Sequence, residues 1–336
     1  MRFGKSLYRV INCILAAPPK LGPTFLNKVY LADAYMRIWV FLEDIISLVF
    51  LVPKATPEEE QLVGFHLSIP MRYVESSAFF CATTETVKDR TIDTLSLRHN
   101  GPAHHHRDLA DTKPPQTSAE DAEAKLEANC KWEVLSPHAR ATSLAHVKIY
   151  LDDFISIVQV GPTERRQITG HLFRAIDDLF RHNDKDNIVR EEPIFLKKLR
   201  KGDATWSTQK IVFGWSIDTV KQVLILPDNC KRNLFSLIYP ITPQRQPMIL
   251  AALAQTTRHP RSTVPAIAGV AGMFTRLQHT LRTAKGRQIN LYTPVHAELT
   301  LWRHVVASLA PRPIHLREIR PHPPTWIGAT DAPSPS

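Results

Sequence analysis

The chain has 336 residues, 43% of them hydrophobic and 22% charged, and its formal net charge is +10 at pH 7. This composition is that of a globular protein with a large core divided into two or three subdomains. The excess of positive charge favours a polyanionic partner, nucleic acid before a membrane. The four cysteines form no CxxC pair, which indicates free thiols in a reducing compartment rather than a disulfide framework or a metal site.

Two apolar stretches near the start lack the features of targeting or membrane segments. Residues 1–19 imitate a signal peptide, but Arg9 interrupts the apolar run. The run over 38–52 contains Glu43 and Asp44 and falls short of the ~20 apolar residues that a membrane span requires. We therefore expect an intracellular protein of the cytoplasm or nucleus, not secreted and with no membrane partner.

Hydrophobic periodicity and turn residues predict the elements along the chain. In chain order these are short strands and turns over 25–80, a helix over 76–90, a loop over 91–118, a short helix over 118–128, a hairpin over 148–157, a helix over 163–182, a two-stranded hairpin over 206–227, and helices to about 310. The helix over 163–182 should bury one face, made of Ile168, Leu172, Phe173, Ile176, Leu179 and Phe180. The order indicates an α+β domain followed by a mainly helical one.

Three consecutive histidines, His104 to His106, lie in the predicted loop. Three adjacent side chains of a regular element cannot all face one metal ion. The sequence therefore favours a solvated tract over a metal site here.

Two adjacent carboxylates, Asp152 and Asp153, interrupt the otherwise apolar run KIYLDDFISI that extends from Lys148 to Ile157. Its β-branched and aromatic residues are typical of strands. Burying two neighbouring anions without partners would cost about 4 kcal/mol or more, so the pair either lies at a solvent-facing hairpin tip or holds a cation. A two-metal nucleotidyl-transfer site needs carboxylates from separate strands around cations ~3.5–4 Å apart, and the candidate partner strand lies within 29–38.

Four motifs occur in an order that resembles a known family: VYLADAY, LSIPMRYVESSAFF, YLDDF and VFGW. Their order and approximate spacing are similar to those of retroviral-type reverse transcriptases, most of all those of long-terminal-repeat retrotransposons. The resemblance runs from about 25 to 331. It implies a right-hand polymerase with an α+β palm, truncated fingers and a mainly helical thumb and connection. It also implies an RNA-directed DNA polymerase that uses Mg²⁺ (or Mn²⁺), a primed RNA or DNA template and deoxynucleoside triphosphates.

The resemblance assigns roles to individual residues. Asp152 and Asp153 match the catalytic metal ligands. The matches at the nucleotide are Asp33 and Ala34 beside the triphosphate, Tyr35 as the steric gate against ribonucleotides, and Met71 and Arg72 near the templating base. The match to the primer grip is Phe213, Gly214 and Trp215, and Asp331 matches the first metal ligand of a ribonuclease H domain.

For some of these residues, and for three nearby lysines, a role without any contact to nucleic acid stays open. Tyr35 and Trp215 are also typical of plain core aromatics. Lys197, Lys198 and Lys201 fit either a solvated basic loop or contacts with backbone phosphates.

The same resemblance predicts the domain organisation. We expect residual fingers over 1–24, a palm over 25–227 with a fingers-side insertion near 91–140, a thumb over 228–290, a connection over 291–325, and the truncated start of a ribonuclease H-like domain over 326–336.

The chain departs from the family pattern at the third metal ligand. In the family this ligand is an aspartate five residues before the steric gate, and here that position is Tyr30. A phenol with a pKa near 10 is neutral at pH 7 and does not replace a carboxylate. Loss of one of three anions is expected to slow the reaction by roughly 10²–10³-fold, unless Asp33 serves instead after a shift in register.

A second departure is Arg72, which stands where the pattern Pro-x-Gly has a glycine that allows close approach of the backbone to the nucleotide. Both departures predict a reverse transcriptase of impaired activity. The alternative is a catalytically dead retroelement relic that only binds primer–template nucleic acid. A structural protein without any nucleic-acid role is a third hypothesis.

Overall fold

Helices and short strands alternate along the chain in a computed structural model that describes residues 6–71, 73–96, 103–111, 145–150, 152–181, 192–242, 248–249, 254, 267, 275–284, 286–309 and 312–319. The chain divides into two compact units. The first consists mainly of Ala17–Thr208, and the second of Leu7–Ala16 with Gln209–Ser336. The finer division into fingers, palm, thumb and connection stays a prediction.

The first unit is built on a three-stranded antiparallel sheet in the order β1-β5-β4. The central strand is buried along most of its length, from Phe154 to Val158. In chain order the elements of this unit are β1 (Phe25–Tyr30), β2 (Val49–Leu51), β3 (Val63–Phe65), α2 (Ser76–Ser96), α3 (Arg107–Ala110), β4 (Ala145–Tyr150), β5 (Asp153–Val158), α4 (Pro162–Phe180) and α5 (Leu196–Leu199).

The core of this unit lies between the sheet and helices α2 and α4, which pack against each other. Five members of the predicted apolar face of α4 are buried, and Leu179 packs at the margin of the core. The expected hairpin is also confirmed, since β4 and β5 pair antiparallel up to Tyr150 opposite Asp153. Helix α2 is longer than predicted and continues to Ser96. The helix expected over 118–128 lies outside the described residues.

The histidine tract is solvated only in part, since His105 is exposed whereas His104 is buried and His106 half-buried. His104 is only 8% exposed because it packs against α4, with its ring 5.1 Å from that of Phe173. Periodicity in the tract itself could not indicate this burial, since the partners belong to a helix more than sixty residues later in the chain.

Strands β2 and β3 form a separate two-stranded ribbon that carries apolar side chains on its surface. Phe50 lies opposite Gly64, and its ring covers the glycine so closely that a Cβ atom there would lie 2.4 Å from the ring. A side chain at this position would therefore require the ring of Phe50 to move away. The exposed apolar residues of the ribbon are Val49, Phe50, Leu51, Val63 and Phe65.

The second unit contains a four-stranded sheet in the order β11-β8-β7-β6. Its elements are α1 (Ser6–Ala16, which begins one residue before the unit), β6 (Gln209–Val212), β7 (Trp215–Asp218), β8 (Val223–Ile225), α6 (Asp228–Ile238), β9 (Met248–Ile249), α7 (Thr275–Thr283), β10 (Gln288–Ile289), α8 (Thr293–Leu309), β11 (Ile314–His315) and α9 (Leu316–Ile319).

The prediction of two strands over 206–227 was wrong, because three strands occupy this stretch. The second turn forms where Asp218 Oδ1 accepts hydrogen bonds from the backbone N–H groups of Val220 and Lys221. Gln222 completes that turn in the left-handed region, with φ 54°. An aspartate that bonds to the backbone just after it is a turn signal, and it divides what looked like one long strand.

Across the described ranges, no helix combines the length and the apolar character that crossing a bilayer demands.

Candidate metal and nucleic-acid site

The carboxylate pair lies at the turn between β4 and β5, at one end of the three-stranded sheet. Asp152 belongs to the turn, and Asp153 begins β5. Strand β1 pairs with the other edge of β5, in a register that places Tyr30 directly opposite Asp153. The backbone N–H of Leu31 donates to the carbonyl oxygen of Asp152 at 3.0 Å, so β1 also holds the turn. The strand and the turn that sequence analysis paired are therefore neighbours.

Asp153 has a cationic partner that sequence analysis missed. Lys28 Nζ lies 2.9 Å from Asp153 Oδ2, and the two side chains are only 10% and 14% exposed. Burial raises the pKa of Asp153, and the nearby ammonium group opposes that rise. Burial on its own lowers the pKa of Lys28, but the carboxylate of Asp153 and the hydroxyl of Tyr30 reverse this effect and leave the pKa raised. The two side chains form a largely buried ion pair.

Tyr30 completes this arrangement with an aromatic ring rather than an anion. Lys28 Nζ lies 4.3 Å from the ring centroid, and Lys198 Nζ lies 4.8 Å from it. Ammonium groups at such distances are attracted to the face of a ring. Burial raises the pKa of Tyr30 above its usual value of 10.0, so the phenol is neutral at pH 7. The position opposite Asp153 thus contributes no negative charge.

This donor set does not fit a two-metal centre. Carboxylate oxygens are good ligands for Mg²⁺, and Asp152 and Asp153 supply two carboxylates. Lys28 already compensates one of them, and Asp203 lies 3.8 Å from Lys198. In the described ranges, the convergent groups of three metal-ligating side chains involve histidines and include neither Asp152 nor Asp153. Asp33 belongs to none of them, so nothing here supports it as a substitute ligand.

The nucleotide-contacting residues expected after β1 form a tight turn. Asp33 adopts the left-handed conformation, with φ 53°, and a 3₁₀ turn follows over Ala34–Arg37. Tyr35 stacks on Phe80 of α2 with ring centroids 4.5 Å apart, and its hydroxyl lies 3.5 Å from Ser77 Oγ. The ring therefore packs at the margin of the core while its hydroxyl points along α2. This position is compatible with a steric gate and also with a plain core aromatic.

The second nucleotide segment is described only in part. Met71 is 76% exposed. Pro70 accepts a hydrogen bond at its carbonyl oxygen from the backbone N–H of Tyr73. Arg72 and Asp331 lie outside the described residues.

The predicted primer-grip residues form the turn between β6 and β7 in the second unit. Phe213 and Gly214 occupy the left-handed region, with φ 54° and 80°. Two successive positive φ angles are those of a type I′ turn, which matches the twist of a hairpin. Trp215 is 1% exposed. Its indole is therefore a core side chain of this unit, and the accessible groups of the turn are Phe213 and Gly214.

Two lysines near the carboxylates, Lys28 and Lys198, were not identified from the sequence as part of the site. A signal for Lys28 was present, because residues two apart in a strand point to the same face, and Lys28 precedes Tyr30 by two positions. Lys198 had only been considered as part of a basic loop. Its proximity to Tyr30 depends on the contact of α5 with β1, in which the backbone N–H of Phe195 donates to Tyr30 O at 2.9 Å.

Comparison with known proteins adds structural neighbours only. No protein-family model matches the sequence, and no curated protein matches it. Three solved structures of a foamy viral protease–reverse transcriptase are similar. The first is the protease–reverse transcriptase dRH bound to double-stranded DNA, with a TM-score of 0.42 and 14% sequence identity; the alignment covers 85% of this chain and 35% of the other. The second is the complex with an RNA/DNA hybrid, with a TM-score of 0.45 and 14% identity, covering 90% of this chain and 29% of the other. The third is another complex with double-stranded DNA, with a TM-score of 0.39 and 15% identity, covering 85% of this chain and 41% of the other.

This chain therefore spans less than half the length of those neighbours. TM-scores this low do not assign a common fold.

Proposed function

We propose that this chain is an RNA-directed DNA polymerase of the reverse-transcriptase type, from a retrotransposon, whose nucleotidyl transfer is impaired at the metal site. Asp152 and Asp153 are the remaining metal ligands, for Mg²⁺ or Mn²⁺. Tyr35 lies beside the sugar of the incoming deoxynucleotide, and Phe213 and Gly214 contact the primer. The proposal rests on four sequence motifs in family order and on the local geometry of the hairpin.

The observation that carries the proposal is the register of β1 on β5, in which Tyr30 lies opposite Asp153. A partner strand beside a carboxylate pair is where a third metal ligand belongs in a two-metal site. Here this position holds a neutral phenol, and Lys28 neutralises Asp153. A second divalent cation would then approach a site with too little negative charge, so the rate of nucleotidyl transfer is low.

A basic edge next to the carboxylates supports nucleic acid as the partner. Lys197 and Lys201 are exposed, and the half-buried Lys198 links the same segment to Tyr30. Together with the net charge of +10, this edge suits the phosphates of a primer–template duplex. Each lysine that neutralises a phosphate releases a counterion, so its contribution is measurable as a dependence of affinity on salt.

Primer extension on an RNA template with Mg²⁺ tests the polymerase function. The full chain is compared with Tyr30→Asp, with Tyr30→Asn, and with Tyr30→Asp/Arg72→Gly. Tyr30→Asn is the matched control, since it removes the ring without adding charge. We expect Tyr30→Asp to extend primers at least roughly 100-fold faster than the unaltered chain, and Tyr30→Asn to give no gain. Equal rates for the unaltered chain and Tyr30→Asp would refute the assignment of Tyr30.

The second candidate function is primer–template binding without synthesis, and the poor fit of the donor set to two metals favours it. Binding of an RNA/DNA hybrid is measured at several salt concentrations for the full chain, Lys201→Gln and Lys54→Gln. Lys54 is an exposed lysine of the segment after β2 and serves as the control. We expect Lys201→Gln to reduce the magnitude of the salt slope by about 1 and Lys54→Gln to leave it unchanged. Binding that does not depend on salt would exclude both candidate functions.

A further inference from the structure

A second cluster of metal-ligating side chains lies in the first unit and shares no residue with the carboxylate pair. It brings the histidines that precede α3 together with Asp177 of α4 and with Glu192. The side chain of His106 is 12% exposed and that of Glu192 20%, while His105 is 56% exposed. The cluster is thus half-buried, with one open side.

Three ligand atoms converge in this cluster, one pair at about the spacing of a tetrahedral metal site and one pair at the shorter distance of a hydrogen bond. His106 Nε2 lies 2.6 Å from Glu192 Oε2, and His105 Nε2 lies 3.4 Å from the same oxygen. In a tetrahedral zinc site with bonds of ~2.0–2.1 Å, neighbouring ligand atoms are ~3.3 Å apart. All three atoms lie within 4.8 Å of one another. Small side-chain rotations are enough to bring them around one ion.

The carboxylate of Glu192 is oriented for this role. Its Oε1 accepts a hydrogen bond from the backbone N–H of Ile194 at 3.1 Å, which leaves Oε2 facing the histidines. Its backbone carbonyl accepts from Arg37 Nη2 at 2.6 Å. Such outer hydrogen bonds fix the direction of a metal ligand. Burial by itself raises the pKa of Glu192, but hydrogen bonds from His106, Arg181 and Ile194 lower it to about 2, so the group is a carboxylate at neutral pH.

His104 is a positioning residue rather than a ligand. Its Nδ1 accepts a hydrogen bond from the backbone N–H of His106 at 3.1 Å, so the proton of the neutral ring is on Nε2. That nitrogen lies 2.9 Å from Asp177 Oδ2 and donates to it. A ring held in this way has no lone pair directed at a metal ion. Its hydrogen bonds instead fix the backbone that presents His105 and His106.

A guanidinium group stands beside the three ligand atoms. Arg181 Nη2 lies 3.0 Å from Glu192 Oε2 and 3.5 Å from His105 Nε2, and 2.9 Å from Asp177 Oδ1. Its positive charge faces the oxygen and nitrogen atoms that a metal ion would contact. Arg181 can keep its bond to Asp177 when it leaves Glu192, since the two bonds have different acceptors.

We propose that His105 Nε2, His106 Nε2 and Glu192 Oε2 bind one divalent transition-metal ion of the zinc class. The ion replaces the Nε2 proton that His106 now donates to Glu192, which is released to solvent or carried by Nδ1, and it displaces the guanidinium of Arg181 from Glu192 towards Asp177. Two imidazoles and one carboxylate suit Zn²⁺, whereas Mg²⁺ prefers oxygen ligands alone. The ion links the segment before α3 to the residues that precede α5, and it leaves a fourth position open to water on the exposed side of His105.

Equilibrium dialysis of the untagged full chain against Zn²⁺ alone tests the site, in buffer with excess Mg²⁺ to occupy oxygen-only sites. The variants are His105→Ala, His106→Ala, Glu192→Gln and Arg181→Met. The controls are His279→Ala, an exposed histidine of the second unit, and Asp178→Asn, an acid of α4 that pairs with Arg90 instead. Thermal unfolding with and without Zn²⁺ provides a second measurement, because a ligand of the folded state raises its stability.

We expect one Zn²⁺ per chain. Loss of a residue that only hydrogen-bonds to a metal ligand reduces metal affinity by up to about 100-fold, so loss of a ligand itself in His105→Ala, His106→Ala or Glu192→Gln should reduce it by about 100-fold or more. Both controls should bind as the unaltered chain does. Arg181→Met should bind Zn²⁺ more tightly, since a competing charge is gone. The absence of a zinc equivalent, unchanged binding in His105→Ala, or weaker binding in Arg181→Met would each overturn the proposal. His105 is exposed, so its alanine variant folds and gives a clear result.

Discussion

The ammonium group of Lys28 lies 2.9 Å from the carboxylate of Asp153 and 4.3 Å from the ring centroid of Tyr30. One side chain of β1 therefore contacts both the acid of the turn and the aromatic residue opposite it. Lys28 is the ion-pair partner of Asp153, and a divalent ion at the turn has to compete with it.

Substitution of Lys28 by methionine is expected to destabilise the folded chain. A mostly buried carboxylate would lose its partner, which costs about 3–5 kcal/mol of the free energy of unfolding. Urea denaturation at pH 7 measures the loss. The control is a double-mutant cycle with Asp153→Asn. In the chain that already carries Asp153→Asn, Lys28→Met should lower the free energy of unfolding far less, because no buried carboxylate is left without a partner. If the two substitutions are additive, the ion pair does not contribute to stability.

Divalent-ion affinity at the turn should respond to charge at position 30. Tyr30→Asp adds a carboxylate opposite Asp153 and removes a neutral ring, so Mn²⁺ is expected to bind at least roughly tenfold tighter, a gain of about 1.4 kcal/mol. Calorimetric titration with Mn²⁺ measures this change. Tyr30→Asn should bind as weakly as the unaltered chain. An equal gain in both variants would mean that removal of the ring, and not the added charge, is responsible.

His146 on β4 is expected to make stability depend on mildly acidic pH. Burial lowers the pKa of His146, and the neighbouring Lys148 lowers it further. The unfolded chain, with a histidine pKa near 6.5, then binds more protons than the folded chain, so stability falls as pH drops below about 6.5. His146→Gln should remove this part of the pH dependence. The free energies of unfolding of the unaltered chain and of His146→Gln are measured between about pH 7.5 and pH 5. A difference between the two proteins that does not change with pH would contradict the assignment.

The primer-grip turn should separate into a structural residue and a binding residue. Trp215→Ala removes a fully buried indole and is expected to cost about 3–5 kcal/mol. Phe213→Ala should change stability much less and weaken binding of the hybrid duplex, because Phe213 is only half-buried in a turn. Thermal unfolding and duplex binding are measured for both variants. A Phe213→Ala variant with unchanged duplex affinity would remove this turn from the nucleic-acid interface.

Arg37 is buried and its guanidinium connects three separate backbone segments. It donates to the carbonyl oxygens of Ala32, Phe180 and Glu192 at 2.7, 2.9 and 2.6 Å. Arg37→Lys keeps the charge but cannot reach all three acceptors, and each lost charged hydrogen bond costs about 1.5–3 kcal/mol.

We therefore expect Arg37→Lys to lower the midpoint of urea unfolding markedly. The control substitution Arg200→Lys, at an exposed position, should not change it. Equal midpoints for the two variants would show that the three contacts of Arg37 are energetically unimportant.

Elements with a long and regular pattern could be predicted from the sequence. Helix α4 and the β4–β5 hairpin carry their own burial pattern, so each was recognisable without knowledge of its neighbours. A partner strand within 29–38 was expected beside the carboxylate turn, and the register that sets Tyr30 opposite Asp153 is known from the structure alone.

Contacts made by residues far apart in sequence could not be predicted in this way. The ion pair between Lys28 and Asp153 depends on the register of two strands more than a hundred residues apart. The burial of His104 depends on α4, and the backbone of Glu192 is held by Arg37. A local pattern contains no information on such partners. The sequences around His104 and Glu192 look polar and loop-like, and the strand patterns around Lys28 and Asp153 do not specify their register.

The apolar ribbon of β2 and β3 has a consequence for handling the protein. A two-stranded ribbon is only marginally stable in isolation, and the side chains of Leu51 and Phe65 are 65% and 52% exposed. Exposed apolar edges of this kind recruit strands from other molecules. We therefore expect this ribbon to lower the concentration at which the chain precipitates. Substitutions that strengthen the core should leave that concentration unchanged, whereas a single lysine in place of Leu51 should raise it.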